Sequence, residues 1–173
     1  AIARDGPVFA SIRKPNDAPI PARTTVKGVQ RVALRNHIDA AIAKLDSVNA
    51  MNPGICTLGA IQGTASATLG TRVHKHGRTT GSTTGIVDDP SIDVLVPLSR
   101  QDPTRLAQFV DQLRIRPPPG QFVFAQPGDS GALVLTKGDN SAVGLLFACP
   151  DNGSYAYANP IAAVLDALEI DLE

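Results

Sequence analysis

The sequence predicts an all-β barrel closed by a C-terminal helix. From about residue 54 onward, short β-prone runs alternate with glycine-bearing turns, the texture of a barrel or sandwich and not of βαβ units. The end of the chain, Pro160 to Leu168, has apolar residues at Ile161, Val164, Leu165 and Leu168, the spacing of one helical face, with Pro at a first-turn position. A hydrophobic content of 43% with 18% charged residues is enough for a packed core.

Residues 1 to 30 are rich in Pro, Arg and Thr, with one expected strand at Val8 to Ile12 and breaks at Pro15, Pro19 and Pro21. Apolar residues return from Val29 to Leu45, a pattern that fits a short helix or a buried strand. After Asn52-Pro53-Gly54 the β-prone runs are Ile55–Leu58, Leu69–His74, Ser82–Val87, Ile92–Pro97, Gln121–Phe124, Ala132–Leu135 and Ala142–Ala148. Thr104 to Ile115 reads as a helix or as a strand with its flanking loop, stopped by Pro117-Pro118-Pro119-Gly120.

The formal net charge is zero, which gives no bulk attraction toward nucleic acid or an anionic membrane. No stretch approaches the length of a membrane span. Cys56 and Cys149 are too few for a disulfide framework; a single bridge is one alternative, and two free buried thiols are the expectation, since both lie in apolar runs. They do not define a redox compartment.

Chemistry concentrates in Gly128-Asp129-Ser130-Gly131, a tight polar turn that runs into the apolar Ala132-Leu133-Val134-Leu135. Pro-Gly-Asp and Ser-Gly are ordinary turn chemistry. An acyl-transfer serine also needs this setting, with its hydroxyl held at a turn and backbone N–H groups aimed at the developing oxyanion. Upstream lies the glycine and threonine element Gly77-Arg78-Thr79-Thr80-Gly81, and downstream the small-residue strand Ala142 to Ala148. Ile38-Asp39-Ala40-Ala41-Ile42-Ala43 sets one carboxylate inside an apolar segment, where a helix-start aspartate is the simpler alternative.

Together these segments resemble the trypsin-like (chymotrypsin-fold) serine peptidases of bacteria, over nearly the whole chain in order and most strongly from about residue 36. The resemblance implies a complete second β-barrel with nucleophile and C-terminal helix over residues 49–173, and over 1–48 the remnant of a first barrel carrying the triad aspartate. Ser130 would be the nucleophile, with the backbone N–H groups of Gly128 and Ser130 as the oxyanion hole and Asp39 as the acid that orients the imidazole. Asp129 would be a buried structural carboxylate, paired with Arg78. Leu146, Phe147 and Ala148 would line the cleft and pair with substrate backbone, and Phe124 would help to line the specificity pocket. Peptides or proteins are then the expected substrate, with no cofactor, metal, nucleic acid or membrane involved.

One triad member is missing. The family's histidine precedes the aspartate by several tens of residues, whereas this chain has only His37, His74 and His76, each expected to be an ordinary surface or packing residue. A partial first barrel would expose strand edges and apolar surface. The expectation is therefore a larger C-terminal piece of a peptidase, cleaved before Ala1 and still paired with the N-terminal fragment that carries the histidine. The isolated chain would then be inactive. The alternative is a catalytically inactive peptidase-fold module that binds or scaffolds.

Overall fold

The structure, a computed structural model, describes residues 24–26, 29–31, 34–43, 47, 54–97 and 104–172. The strand expected at Val8 to Ile12 lies outside them. The elements run β1 (Thr24–Val26), β2 (Val29–Arg31), β3 (Leu34–Asn36), β4 (Arg72–Gly77), β5 (Gly81–Pro97), β6 (Leu106–Arg116), β7 (Leu133–Thr136), β8 (Ala142–Ala148), β9 (Ala156–Pro160) and α1 (Ile161–Leu168). The all-β expectation holds.

The strands β6-β5-β4-β7-β8-β9 are joined side by side, and β6 also pairs with β9 through Leu113↔Ala158 to Ile115↔Ala156, which closes a barrel. Closure removes the edges that an open sheet would present. Its interior holds Val73, Val87, Leu113, Ile115, Val134, Val143 and Leu146, apolar side chains that the two-residue alternation of each strand turns inward, together with Phe124 from a loop. The tight register of the β4–β5 hairpin depends on Gly85: a Cβ there would lie 2.6 Å from Ile115 Cγ2 and 2.8 Å from the Phe124 ring.

The runs at Ser82–Val87 and Ile92–Pro97 are parts of one long strand, β5. Its second half pairs with the first half of β6 as a ribbon that projects beyond the barrel. Register shifts between Val87 and Val94, and Asp111 at φ +57, mark where ribbon meets barrel. The ribbon folds Val94, Ala107 and Phe109 against Phe147, whose ring centroid is 4.9 Å from that of Phe109. Within Thr104–Ile115 the residues from Leu106 on are strand and not helix, after a short flanking loop, because their apolar side chains face two different clusters across the bulge. Of Val29 to Leu45, residues 29–31 and 34–36 are strand, and β3 runs parallel to β6.

Two β-prone runs are not strands. Ile55–Leu58 forms a tight turn closed by Ile55↔Gly59, with Thr57 at φ +63 and Cys56 exposed, contrary to the buried thiol expected there. Gln121–Phe124 is irregular and is tied to the neighbouring loop by Phe124 N–H donating to Gly153 O at 3.1 Å. A second apolar cluster lies outside the barrel, where α1 packs Ile161, Val164 and Leu168 on Leu135, Ala142 and Leu145 together with Ala40. Glu169 ends the helix in the left-handed conformation at φ 54, as a C-terminal cap.

Gly85→Ala should destabilise the chain by about 1–3 kcal/mol through overpacking. In urea denaturation this reads as a lowered midpoint with unchanged slope. An unchanged midpoint would show that the barrel interior has slack at Gly85.

Candidate functional site

The Gly128-Asp129-Ser130-Gly131 turn is built around one buried carboxylate. Asp129 is 1% exposed, yet its side chain is fully engaged. It accepts from Thr79 N–H (2.8 Å), Thr80 N–H (3.1 Å), the Thr80 hydroxyl (2.6 Å), Gln126 N–H (3.1 Å) and the Lys75 ammonium (3.1 Å). Burial alone would raise the pKa of this carboxyl; the donors from Thr80, Gln126 and Thr79 outweigh it and hold the value at about 2.

Lys75 replaces the partner expected from sequence. Its ammonium and the Asp129 carboxylate form an ion pair with both side chains at 0% exposure. Lys75 also donates to the Thr80 hydroxyl and to Gly81 O (3.3 Å), and it lies 5.8 Å from the centroid of the Phe124 ring. Burial pushes its pKa below the ordinary lysine value, and the Asp129 hydrogen bond and charge oppose that fall. Arg78 is exposed instead: a Cβ on Gly128 would lie 2.8 Å from its guanidinium nitrogen, so it lies over the turn and not beneath it. The physical reason is the register of β4, whose alternation turns Val73, Lys75 and Gly77 inward, while Arg78 begins the hairpin turn. That alternation was the signal available in the sequence.

Backbone bonds shape the rest of the turn. Asp129 N–H donates to Gln126 O (3.0 Å), Ala132 N–H to Asp129 O (2.9 Å), and Gly131 N–H to Leu146 O (2.7 Å). Gly128 has φ +104, a conformation costly for other residues, and a Cβ there would also overlap the Thr79 hydroxyl. The N–H groups of Gly128 and Ser130 find no acceptor among the described residues. Ser130 is exposed, and its hydroxyl donates to Phe147 O at 3.1 Å.

The other expected residues divide. Leu146 and Phe147 are buried, at 1% and 9% exposure, Leu146 in the barrel interior and Phe147 under the ribbon, so β8 presents backbone rather than these side chains beside Ser130. Ala148 is half-buried beside them. Phe124 does not line an open pocket: at 0% exposure it fills the barrel core below Lys75. Asp39 has its backbone bracketed by the buried Asn159, which accepts from Asp39 N–H (3.0 Å) and donates to Asp39 O (2.9 Å). The buried Gln112 adds a bond to His37 O at 2.9 Å. Neither amide was singled out from sequence. The Asp39 carboxyl makes no hydrogen bond to Ser130. Asp39 is an exposed residue, but protein packed on one side of its carboxyl desolvates it and raises its pKa above the ordinary value.

None of the histidines meets the serine. His74 Nε2 bonds Asn140 Oδ1 (2.8 Å) and His76 Nδ1 bonds the Thr57 hydroxyl (2.9 Å), while Asn140 donates to Leu58 O (2.8 Å). They fasten the segment around Thr57 and Leu58 to the barrel.

Solved structures share this fold. Similar ones are a chymotrypsin from Cellulomonas bogoriensis (TM-score 0.52, 23% identity, covering 68% of this chain and 58% of that one) and a Nocardiopsis protease (TM-score 0.52, 20% identity, 66% and 54%). Protease A of Thermobifida fusca is a third (TM-score 0.50, 22% identity, 65% and 54%). The fold is that of the chymotrypsin-like serine proteases. This chain therefore spans only a little more than half the length of the structures it matches. No family model matches the sequence, and no curated protein does.

Two outcomes follow from the buried pair. Lys75→Ala strands the Asp129 charge and should cost about 3–5 kcal/mol in chemical denaturation; a loss below 1 kcal/mol would show that the other donors suffice. A carboxyl depressed from 3.8 to about 2 in the folded state stabilises the protein above pH 4, and that stability is lost as pH falls toward 2. The Asp129 share is on the order of 2 kcal/mol. In Asp129→Asn, stability against pH should be correspondingly flatter between pH 4 and 2.

Proposed function

We propose that this chain is the nucleophile-bearing part of a serine endopeptidase. The observation that carries the reading is the turn at Ser130, where the hydroxyl of an exposed serine stands beside two backbone N–H groups that find no acceptor among the described residues, and a buried carboxylate holds the turn. In this reading residues 49–173 are the second barrel and residues 1–48 belong to a first one.

The chemistry is acyl transfer. Ser130 Oγ attacks the scissile carbonyl carbon while its proton passes to an imidazole, and the carbonyl oxygen, now negative, is held by Gly128 N–H and Ser130 N–H. The tetrahedral adduct collapses as the C–N bond breaks, and the imidazole returns the proton to the leaving amine. Water then hydrolyses the acyl-enzyme by the same path. Asp39 orients the imidazole and stabilises its cation; its carboxyl, partly desolvated and unbonded to Ser130, suits that role. The imidazole comes from an N-terminal segment of the same protein, retained after cleavage, since His37, His74 and His76 do not bond Ser130. Substrate is an extended peptide that pairs with the backbone at the Phe147–Ala148 end of β8, since Leu146 N–H and O are already bonded to Ala132 and Gly131.

With the histidine-bearing segment present, a fluorophosphonate should label Ser130, and Ser130→Ala should abolish labelling. Without that segment, labelling should fall by at least about 10³-fold, the order expected when a triad loses its base. Labelling that persists in Ser130→Ala would overturn the assignment. No labelling in the complete protein would favour a module that keeps the fold for binding alone.

A further inference from the structure

Resting on the reading of Ser130 as nucleophile and Asp39 as its acid, we infer that the buried amides of Asn159 and Gln112 are positioning residues for Asp39. They set the acid in the frame of the barrel that carries Ser130, independently of the segment that brings the base. Residues 37–39 belong to no strand, so no ladder partner serves their backbone groups. Two side chains serve them instead. Asn159 Oδ1 accepts from Asp39 N–H at 3.0 Å and Asn159 Nδ2 donates to Asp39 O at 2.9 Å, while Gln112 Nε2 donates to His37 O at 2.9 Å. The Asn159 bracket grips the planar peptide groups on both sides of the Asp39 Cα, which fixes the direction of its Cβ and leaves only the side-chain torsions free. None of these bonds uses the Asp39 carboxyl, which stays available to an imidazole N–H.

The two amides come from the seam that closes the barrel. Leu113 of β6 pairs with Ala158 of β9, and the next positions in the same antiparallel register are Gln112 and Asn159. Asn159 Nδ2 also donates to Leu145 O of β8 at 3.3 Å, and the neighbouring Leu146 O accepts from Gly131 N–H at 2.7 Å. The Asp39 backbone and the Ser130 turn are therefore both tied to β8. The segment is held on either side as well: Asn36 Nδ2 donates to Gln108 O at 3.1 Å, and Ala40 is buried in the cluster under α1.

Gln112 shows what the arrangement favours. Its Oε1 has no hydrogen-bond partner among the described residues although the side chain is wholly buried, a destabilising state for an acceptor. Its Nε2 nevertheless donates to two carbonyls, Val110 O in its own strand and His37 O in the segment that carries Asp39. The core tolerates an unmet acceptor at this point and keeps the segment in place.

The test uses the complete protein, including the histidine-bearing segment, and follows its inactivation by a small fluorophosphonate. In this reaction the Ser130 Oγ–P bond forms as the P–F bond breaks, fluoride leaves, and the serine proton goes to the imidazole. Asn159→Ala should lower the limiting inactivation rate about 10²-fold with the half-saturating probe concentration unchanged, the loss expected when a reacting group is misplaced by about 1 Å. Asp39→Asn should lower it about 10⁴-fold. Added to Asp39→Asn, Asn159→Ala should change the rate by no more than about twofold, because the amide acts only through Asp39. A general folding defect, or an effect passed to Ser130 through Leu145, lowers the rate by the same factor in both backgrounds, and that result overturns the proposal. Gln112→Met keeps the volume and should also slow inactivation in the native background but not in Asp39→Asn, which carries the test if Asn159→Ala does not fold; inactivation at the native rate in either single variant overturns the role of that amide. If Asp39→Asn reacts at the native rate, Asp39 is not the acid and the positioning role falls while Ser130 stands. If the native protein is not inactivated at all, the nucleophile assignment fails and the positioning role fails with it.

Discussion

Everything around Ser130 depends on the carboxylate of Asp129. Taking an ionised pair out of water carries a desolvation penalty of several kcal/mol per ion, which the pair recovers only when its remaining lone pairs and protons are also satisfied. Here they are: Thr79, Thr80 and Gln126 supply donors to the carboxylate, and the Thr80 hydroxyl and Gly81 O accept hydrogen bonds from the ammonium. Lysine suits this niche because its charge is compact and its stem is apolar, so the methylenes cross the barrel interior and only the tip needs partners. An arginine at the same inward position would bring a planar fork with five N–H donors and would need more acceptors than the site holds. The network ties three separate stretches of chain together: β4, the turn after it, and the loop before Ser130.

The barrel explains why that network can be rigid. Lys75 projects inward from a strand that pairs with β5 on one side and β7 on the other. Its donor tip therefore moves only if the sheet moves. The Ser130 turn is anchored just as firmly on its other side, since Gly131 and Ala132 pair with Leu146 of β8. Beyond the barrel, the ribbon needs protection that closure cannot supply. Its outer strand carries Asp88, Asp89, Pro90 and Asp93 along with register shifts, devices that discourage pairing with another strand.

The fold was largely legible because the barrel strands write their alternation plainly. Ala142–Ala148 is strand at the bounds that its apolar run marks, and Ile161, Val164 and Leu168 face inward on α1. What escaped notice was local chemistry overridden by tertiary pairing. Ala156–Pro160 contains Asn and Pro and gives no strand signal, yet it closes the barrel because Leu113 to Ile115 offers it an edge. Gln121–Phe124 is β-prone, but Pro117 to Gly120 and the Gly153 bond hold it as a bend. The turn from Gly128 to Gly131 was legible as a motif, since positive φ and close approach restrict its residues so strongly. Lys75 was legible only through register: a charged residue between Val73 and Gly77 reads as surface until the alternation is followed through it. Asn159 and Gln112 are invisible in the same way, because an amide that substitutes for a strand partner leaves no pattern along the chain.

The geometry also separates two features of the turn, what holds its backbone and what its hydroxyl bonds. The groups that hold the turn carrying Gly128 and Ser130 are Asp129, Lys75, Thr80 and the Leu146 backbone, and the one carboxylate among them is committed to its own donors. The Ser130 hydroxyl, by contrast, donates to a carbonyl oxygen, an acceptor far too weakly basic to take its proton. An alcohol in that state is a poor nucleophile however well its oxyanion is received. Preorganised donors need no reorganisation when charge develops, which is what the role proposed for the Gly128 and Ser130 N–H groups requires. On that proposal, base delivery needs only to redirect one hydroxyl, from Phe147 O toward an incoming nitrogen, by rotation about the serine side chain. The proposed division of labour then puts the stabilising half of the chemistry in this fold and the proton-transferring half in a base docked against Asp39.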